Sequence, residues 1–433
     1  MDICISHTTA LRWLLHNENP AVGKRQSRAD ALPTAPPPKA WLQALSNILD
    51  ANPPVEGSPS AKGSSNKVQP RIDGELCASE ARQNGACQKP DSPLRPSEEE
   101  AETAVKANKH ERGSGRNQGA KASKEPFDHL KDRRIHVLVG SAPARRELPG
   151  VVMHVSTLKP QSGSFVRTHI AGKTVHVASP ALVFLQMATL LPVQDLVAVG
   201  YALCSGYRLD KSIPEGICLR KDGDAPLTTV ADLENYVREA GNVAGTHRAQ
   251  VALVHIRGGS LSPMESALAM ALGLPPKYGG FGLGYISMNE LLVLADGSDV
   301  GGKKTIARRP DILISAVGRD KKVRRAGVEY DATATHLEAK TAQRDATRRN
   351  EFQADGGLAH FTITAGHAAD YLALMRVFDQ VRRALNVRKR PWSPGATRLP
   401  SGDAETEKIR ATWARQLALW KRYISGAKLT VGE

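Results

Sequence analysis

Aromatic side chains are scarce, at 5% of 433 residues, and the chain has only five cysteines. Cys4, Cys77, Cys87, Cys204 and Cys218 are dispersed, odd in number and without a C-x-x-C pair. That excludes a disulfide framework and a thiolate zinc site, and fits a reducing, cytoplasmic setting. Long apolar runs are missing too. The most apolar stretch, residues 175–204, is interrupted by Gln186, Pro192, Gln194 and Asp195, and no basic region followed by a long apolar run opens the sequence. Neither a membrane span nor a secretion signal is expected. Acids are in deficit, 44 Asp and Glu against 59 Lys and Arg, for a net charge of +15. Such a surplus favours a polyanionic partner, nucleic acid first, unless the charge is merely spread over a solvated surface.

Several catalytic signatures are absent or broken. No G-x-S-x-G nucleophile elbow is present, and the histidines show no zinc spacing. Gly297 to Lys304 nearly spells a phosphate-binding loop, yet Lys304 replaces the required Ser or Thr and a strand is expected where a helix should begin. Gly280-Phe-Gly-Leu-Gly284 lacks the spacing and setting of a dinucleotide fingerprint.

The length allows two or three domains of mixed α/β (α+β) class. Residues 1–18 carry a short apolar run and a helical pattern with Ala10, Leu11, Leu14 and Leu15 on one face. Residues 19–127 turn to Pro, Ser, Gly, Lys, Glu, Gln and Asn, a low-complexity composition expected to be disordered. Inside it, Trp41, Leu42, Leu45, Ile48 and Leu49 share a helical face, read as a transient helix in a linker rather than a docked one. Residues 128–249 read as a small α+β domain: strands at 135–139, 151–155 and 174–177, then helices opened by Ser179-Pro180 and by Pro192, and a further helix near 230–240. Residues 250–388 read as a mixed sheet flanked by helices. A helix starts at Ser262-Pro263, strands are expected at 291–294, 312–315, 327–330 and 361–364, and helices at 340–353 and 368–385. Residues 389–433 supply a linker and a helix with the stripe Ile409, Trp413, Leu417, Trp420 and Ile424.

Chemistry concentrates where Asp311 heads the strand DILIS and, after a basic turn, VEYD ends in Glu329-Tyr330-Asp331. Strand alternation sends Glu329 and Asp331 to one face, and a hairpin would bring Asp311 beside them. Three hard oxygen donors suit Mg2+ or Mn2+, and the surrounding GGKKTIARR and GRDKKVRRAG suit a phosphate backbone. An exposed acidic face beside a solvated basic hairpin would leave the same letters.

The succession SPMES, RPDILI, VEYDATATH, RDATRRNEF resembles actinobacterial proteins whose C-terminal domain is similar to very-short-patch-repair endonucleases of the PD-(D/E)XK superfamily, over about residues 257–388. The resemblance implies a restriction-endonuclease-like fold and a metal-dependent DNA endonuclease, with Glu265, Asp311, Glu329, Asp331, His336, Asp345 and Arg348 in the family's motif positions. Asp311, Glu329 and Asp331 would then hold the metal, with His336 and Glu265 as further catalytic candidates. Upstream, SHTTAL, LPGVVMH and VHVASPALVFLQMATLLPVQDLVAVGYAL resemble an AbiEi-type antitoxin or regulator domain, which implies a toxin or regulatory protein as partner beside DNA. Three departures stand out: Ala332 replaces the family's usual glycine, the Asp311–Glu329 hairpin is long, and Asp331 stands where the superfamily's lysine would be, a change shared with the very-short-patch-like branch.

Each candidate also has a plain structural role. Glu265 sits at N3 of a capping box begun by Ser262, His336 is placed like a surface histidine, and Arg348 can pair with Asp345 one helical turn away. Three functions remain open: a nuclease, a DNA-binding regulator on an inactive nuclease-like platform, and a protein-interaction module using the Trp413 and Trp420 stripe.

Overall fold

The computed structural model describes residues 3–16, 32, 38–50, 132–156, 160–170, 173–210, 212–213, 216–220, 226–295, 305–332, 358–396 and 403–425. Most of the 19–127 segment, the expected 340–353 helix, His336, Asp345, Arg348 and the residues between 296 and 304 lie outside this set. The described residues fall in one mixed α/β unit with several sheets.

The first sheet has the order β3-β2-β1-β5-β4. Its strands are β1 (Ile3–Ile5), β2 (Ile135–Val139), β3 (Val151–Val155), β4 (Phe165–Ile170) and β5 (Lys173–Ala178). β1 pairs antiparallel with β2 and parallel with β5, so ICI lies at the centre of the sheet, and helix α1 (His7–His16) follows it directly. β4 was not expected: in FVRTHI, the exposed Arg167 and His169 and the half-buried Thr168 break the apolar run. Helix α2 (Lys39–Asp50) corrects the linker reading of its segment. Trp41, Leu42 and Leu45 are buried in the main core together with Leu32, because an apolar helical face gains more from burial than from water.

Helices α3 (Pro180–Leu190) and α4 (Val193–Leu203) begin where the sequence places them. Ser179 Oγ accepts the Leu182 N–H, and Pro180 fills a first-turn position whose N–H has no helical partner. Two three-residue strands, β6 (Tyr207–Leu209) and β7 (Ile217–Leu219), form a short antiparallel ribbon. Then come α5 (Val230–Ala240) and α6 (Thr246–Leu253), so the boundary expected at 249/250 falls inside a helix. One hydrophobic cluster runs from Ile3 to Ile424 through both expected domains.

The second large sheet has the order β13-β12-β11-β8. Helix α7 (Pro263–Gly273) precedes β8 (Tyr285–Met288), β11 (Ile312–Val317), β12 (Val323–Asp331) and β13 (Ala359–Thr364). β11 is antiparallel to both β8 and β12, whereas β13 is parallel to β12. The strand expected at 291–294 is instead β9 (Leu292–Ala295), which pairs with β10 (Thr305–Arg308) in a separate ribbon. Its exposed Leu291 and Val293 show why apolar letters misled there, while YISM, preceded by a glycine-rich stretch, supplies the sheet's edge.

Short helix α8 (Ala365–Ala369) leads into α9 (Tyr371–Ala384), and α7 and α9 pack on this sheet. Ile312, Ile314, Ala326, Val328 and Ile363 share the main core with Leu374, Phe378 and Val381 of α9. Each of the Ile, Val, Leu and Phe side chains contributes about 1.5–3 kcal/mol on burial, which fixes the register because a one-residue slip would expose the set. The last helix, α10 (Asp403–Tyr423), is rotated from its expected stripe: Ile409, Thr412, Gln416, Leu419 and Tyr423 are its buried residues. Both tryptophans are turned to the protein, Trp413 Nε1 donating to Pro391 O and Trp420 Nε1 to Ala368 O. The stripe read as an external docking face is thus largely spent within the chain.

Candidate functional site

The β11–β12 hairpin forms as the sequence suggests. Ile312 pairs with Val328, which carries Asp311 opposite Glu329 one residue beyond. Because side chains alternate, Gly327, Glu329 and Asp331 lie on the sheet face opposite the one that carries Val328 into the core. Leu313, on that same outer face, is covered in a small cluster with Leu292 and Leu358.

Asp311 is anchored at the open end of the hairpin. Its Oδ2 accepts the Tyr330 N–H at 2.8 Å, and its carbonyl accepts the Asn289 N–H at 3.0 Å. Glu329 lies against a residue that sequence reasoning set aside: His360 Nε2 is 3.3 Å from Glu329 Oε2, and the two side chains are only 4% and 13% exposed. The parallel β12–β13 register brings them together, Gly327 pairing with His360. Beside it, a Cβ on Gly327 would crowd Pro310 Cβ at 3.3 Å and meet His360 Cδ2 at an ordinary contact distance of 3.6 Å. No local spacing announces a pair made by strands that meet only through a crossover. His367, the other histidine flanking β13, instead caps α8 with Thr364.

Compared with protein-family models, curated proteins and solved structures, the chain finds no match in any of the three. The chemistry therefore rests on the geometry alone.

Glu265 stands close to Asp311 in the bond network, though in a capping role. Ser262 Oγ accepts the Glu265 N–H at 3.1 Å, and Glu265 Oε2 accepts from Leu261 N and Asn289 Nδ2, both at 2.9 Å. The carboxylate thus reaches one residue further back than a capping box requires, to Leu261 instead of Ser262. Burial raises its pKa above the ordinary 4.5, against the pull of these hydrogen bonds. Asn289 bridges the two acids, its backbone serving Asp311 and its side chain Glu265, and it holds a left-handed φ of 49° to do so.

Among the described residues, Asp311, Glu329 and Asp331 do not form a group with all donor atoms within 4.8 Å of one another. A divalent ion that keeps several waters needs only one or two carboxylates beside substrate phosphates, so Asp311 and Glu329 meet the demand of Mg2+ in donor type and number. Ala332 is exposed at the end of β12. Of the basic hairpin, Arg324 is engaged by Asp320, with Nη2 to Oδ2 at 2.7 Å, and Arg319 Nε donates to Asn386. Arg325 is exposed on the carboxylate face.

Proposed function

We propose that the unit built on β8, β11, β12 and β13 is a metal-dependent DNA endonuclease of the very-short-patch-repair-like type in the PD-(D/E)XK superfamily. The observation carrying this reading is the placement of Asp311 opposite Glu329 on adjacent antiparallel strands, with Asp331 on the same outer face. The path helix, three antiparallel strands, crossover, fourth strand parallel to the third agrees with a restriction-endonuclease-like core. Asp311 and Glu329 would hold Mg2+ or Mn2+, which supplies Lewis acidity at a scissile phosphate and a more acidic water when bound. The chain's own part is positional. Tyr330 N–H fixes the Asp311 carboxylate, His360 backs Glu329, and Arg325 offers a cation to a phosphate backbone on that face.

The test is nicking of supercoiled plasmid with Mg2+ or Mn2+ by the wild type, Asp311→Ala and Glu329→Ala. Metal-dependent cleavage lost by at least 100-fold in both variants supports the assignment, and cleavage indifferent to both removes it. The alternative is a DNA-binding regulator, working with a toxin or regulatory protein, on an inactive nuclease-like platform. It is favoured by the Asp311 carboxylate already serving the backbone and by the lack, among the described residues, of three converging oxygens. Salt-dependent DNA binding without cleavage in all three proteins is its signature.

A further inference from the structure

The N-terminal sheet gathers three histidines that no sequence spacing connects. Strand β2 places His136, its parallel neighbour β3 places His154, and His7 sits where β1 turns into α1. In the β2–β3 register Leu138 pairs with His154, so His136 and His154 share one face of the sheet. His136 Nδ1 lies 2.9 Å from His154 Nε2, and the His7 ring stacks on His154 with centroids 3.6 Å apart. Each of the three offers a ring nitrogen within 4.8 Å of the other two. His7 and His136 are buried and His154 is half-buried, so one edge of the group reaches solvent.

The surroundings orient the rings. Asp132 Oδ2 is 3.1 Å from His136 Nε2, which puts the proton of a neutral ring on Nε2 and leaves the Nδ1 lone pair pointing into the cluster. Asp132 is itself held by Arg134 at 2.8 Å. The helix that starts at His7 grips the same strand: Thr9 Oγ1 accepts the His136 N–H at 2.8 Å and donates to Arg134 O at 3.2 Å. Ser6 Oγ lies 3.0 Å from His7 Nδ1, and the His7 N–H donates to Gln186 Oε1 at 3.0 Å. His7 takes a left-handed φ of 48°, a conformation that costs a non-glycine residue energy and that the surrounding bonds maintain.

We infer that His7, His136 and His154 form a binding site for a divalent transition metal ion of the zinc class, with Asp132 as the carboxylate that orients His136. Three imidazoles suit zinc, cobalt and nickel and do not suit magnesium, and three protein ligands leave a fourth position for water or an anion. Arg12, Arg134 and Arg145 are the cations near the rings, which favours an anionic fourth ligand over a second metal. The competing account is a metal-free relay in which Asp132, His136 and His154 hydrogen-bond in series. It satisfies the same 2.9 Å and 3.1 Å distances but predicts no metal affinity.

The experiment uses the full chain without a polyhistidine tag, stripped with a chelator, and carrying Asp311→Ala and Glu329→Ala so that the other candidate site is silent. Zn2+ is titrated by calorimetry and Co2+ by visible absorption. One equivalent bound at micromolar or tighter Kd, with cobalt bands of tetrahedral intensity, is expected. His154→Ala should weaken binding by at least 100-fold. Asp132→Asn, which preserves the outline of the side chain, should weaken it by about 10–100-fold while the circular dichroism spectrum is unchanged. Absence of stoichiometric binding in the folded parent, or binding indifferent to both substitutions, overturns the site and leaves the relay.

Discussion

Asp195 is the most deeply buried acid among the described residues, and its removal is open to a quantitative test. Its carboxylate is 3% exposed in the first turn of α4, where it accepts Arg422 Nη2 at 2.6 Å and the Tyr423 hydroxyl at 2.5 Å. Both partners lie near the end of α10, so this contact fastens the last described helix to the N-terminal half of the unit. Asp195→Ala would remove the carboxylate shared by a guanidinium that is 14% exposed and a buried phenol, and would forfeit a favourable charge at a helix N-terminus. Breaking one side of a buried pair costs about 3–5 kcal/mol, whereas replacing both sides with apolar groups is often neutral. The expected loss is therefore about 3–4 kcal/mol for Asp195→Ala, and much less for Asp195→Leu combined with Arg422→Met and Tyr423→Phe. Urea unfolding at pH 7, read as a shift in midpoint at constant slope, measures both. A loss under about 1 kcal/mol for the single variant, or a triple variant worse than the single one, would refute the argument.

Two further outcomes are expected. Glu265→Ala should cost about 2–3 kcal/mol by leaving the Leu261 and Asn289 donors without their acceptor, and Glu265→Gln under about 1 kcal/mol. Since burial raises this acid's folded-state pKa above 4.5, the protonated form is favoured in the fold. Stability from it is full below pH 4.5 and declines as pH rises through the raised value, a slope that Glu265→Gln should abolish in urea titrations at several pH values. His255 has the opposite sign: burial, Arg257 and Lys277 lower its pKa to about 4 from 6.5, so its contribution is whole above pH 6.5 and lost as pH falls toward 4. Allowing for a partly exposed ring, His255→Asn should relieve about 1–2 kcal/mol of the acid destabilisation between pH 7 and 4.5; an unchanged pH profile would contradict this.

What could be read in the sequence follows the range of the forces involved. Ser179-Pro180 and Ser262-Pro263 declare their helices because a cap and a first-turn proline act within four residues. The DILIS and VEYD strands were legible as a hairpin for the same reason. β6 and β7 were not, since three residues carry no period, and β8 was hidden by the glycines before it and by an exposed Tyr285. The contacts that matter most for chemistry are set by register between distant strands. Glu329 meets His360, and His136 meets His154, only because two parallel pairings align them. The α10 stripe was legible but incomplete: Thr412 and Gln416 are buried beside it through hydrogen bonds to Lys408 O, Gly280 O and Trp392 O, so polarity was a poor guide to the rest of its inner face.

The central place of β1 bears on how the chain can be divided. Its three residues fill the slot between β2 and β5, and Ile5 meets Val137 on one side and Val177 on the other. Residues 3–16 are held there by two ladders, by α1 packed on α3, and by buried Leu11, Leu14 and Leu15. Among the described residues of the covalent path from 17 to 131, none belongs to a strand of that sheet, while Leu32 and α2 enter the core. Lengthening the path costs only about 0.6 kcal/mol per doubling. The five-stranded sheet therefore depends for its continuity on three residues that lie far along the sequence from the strands they join.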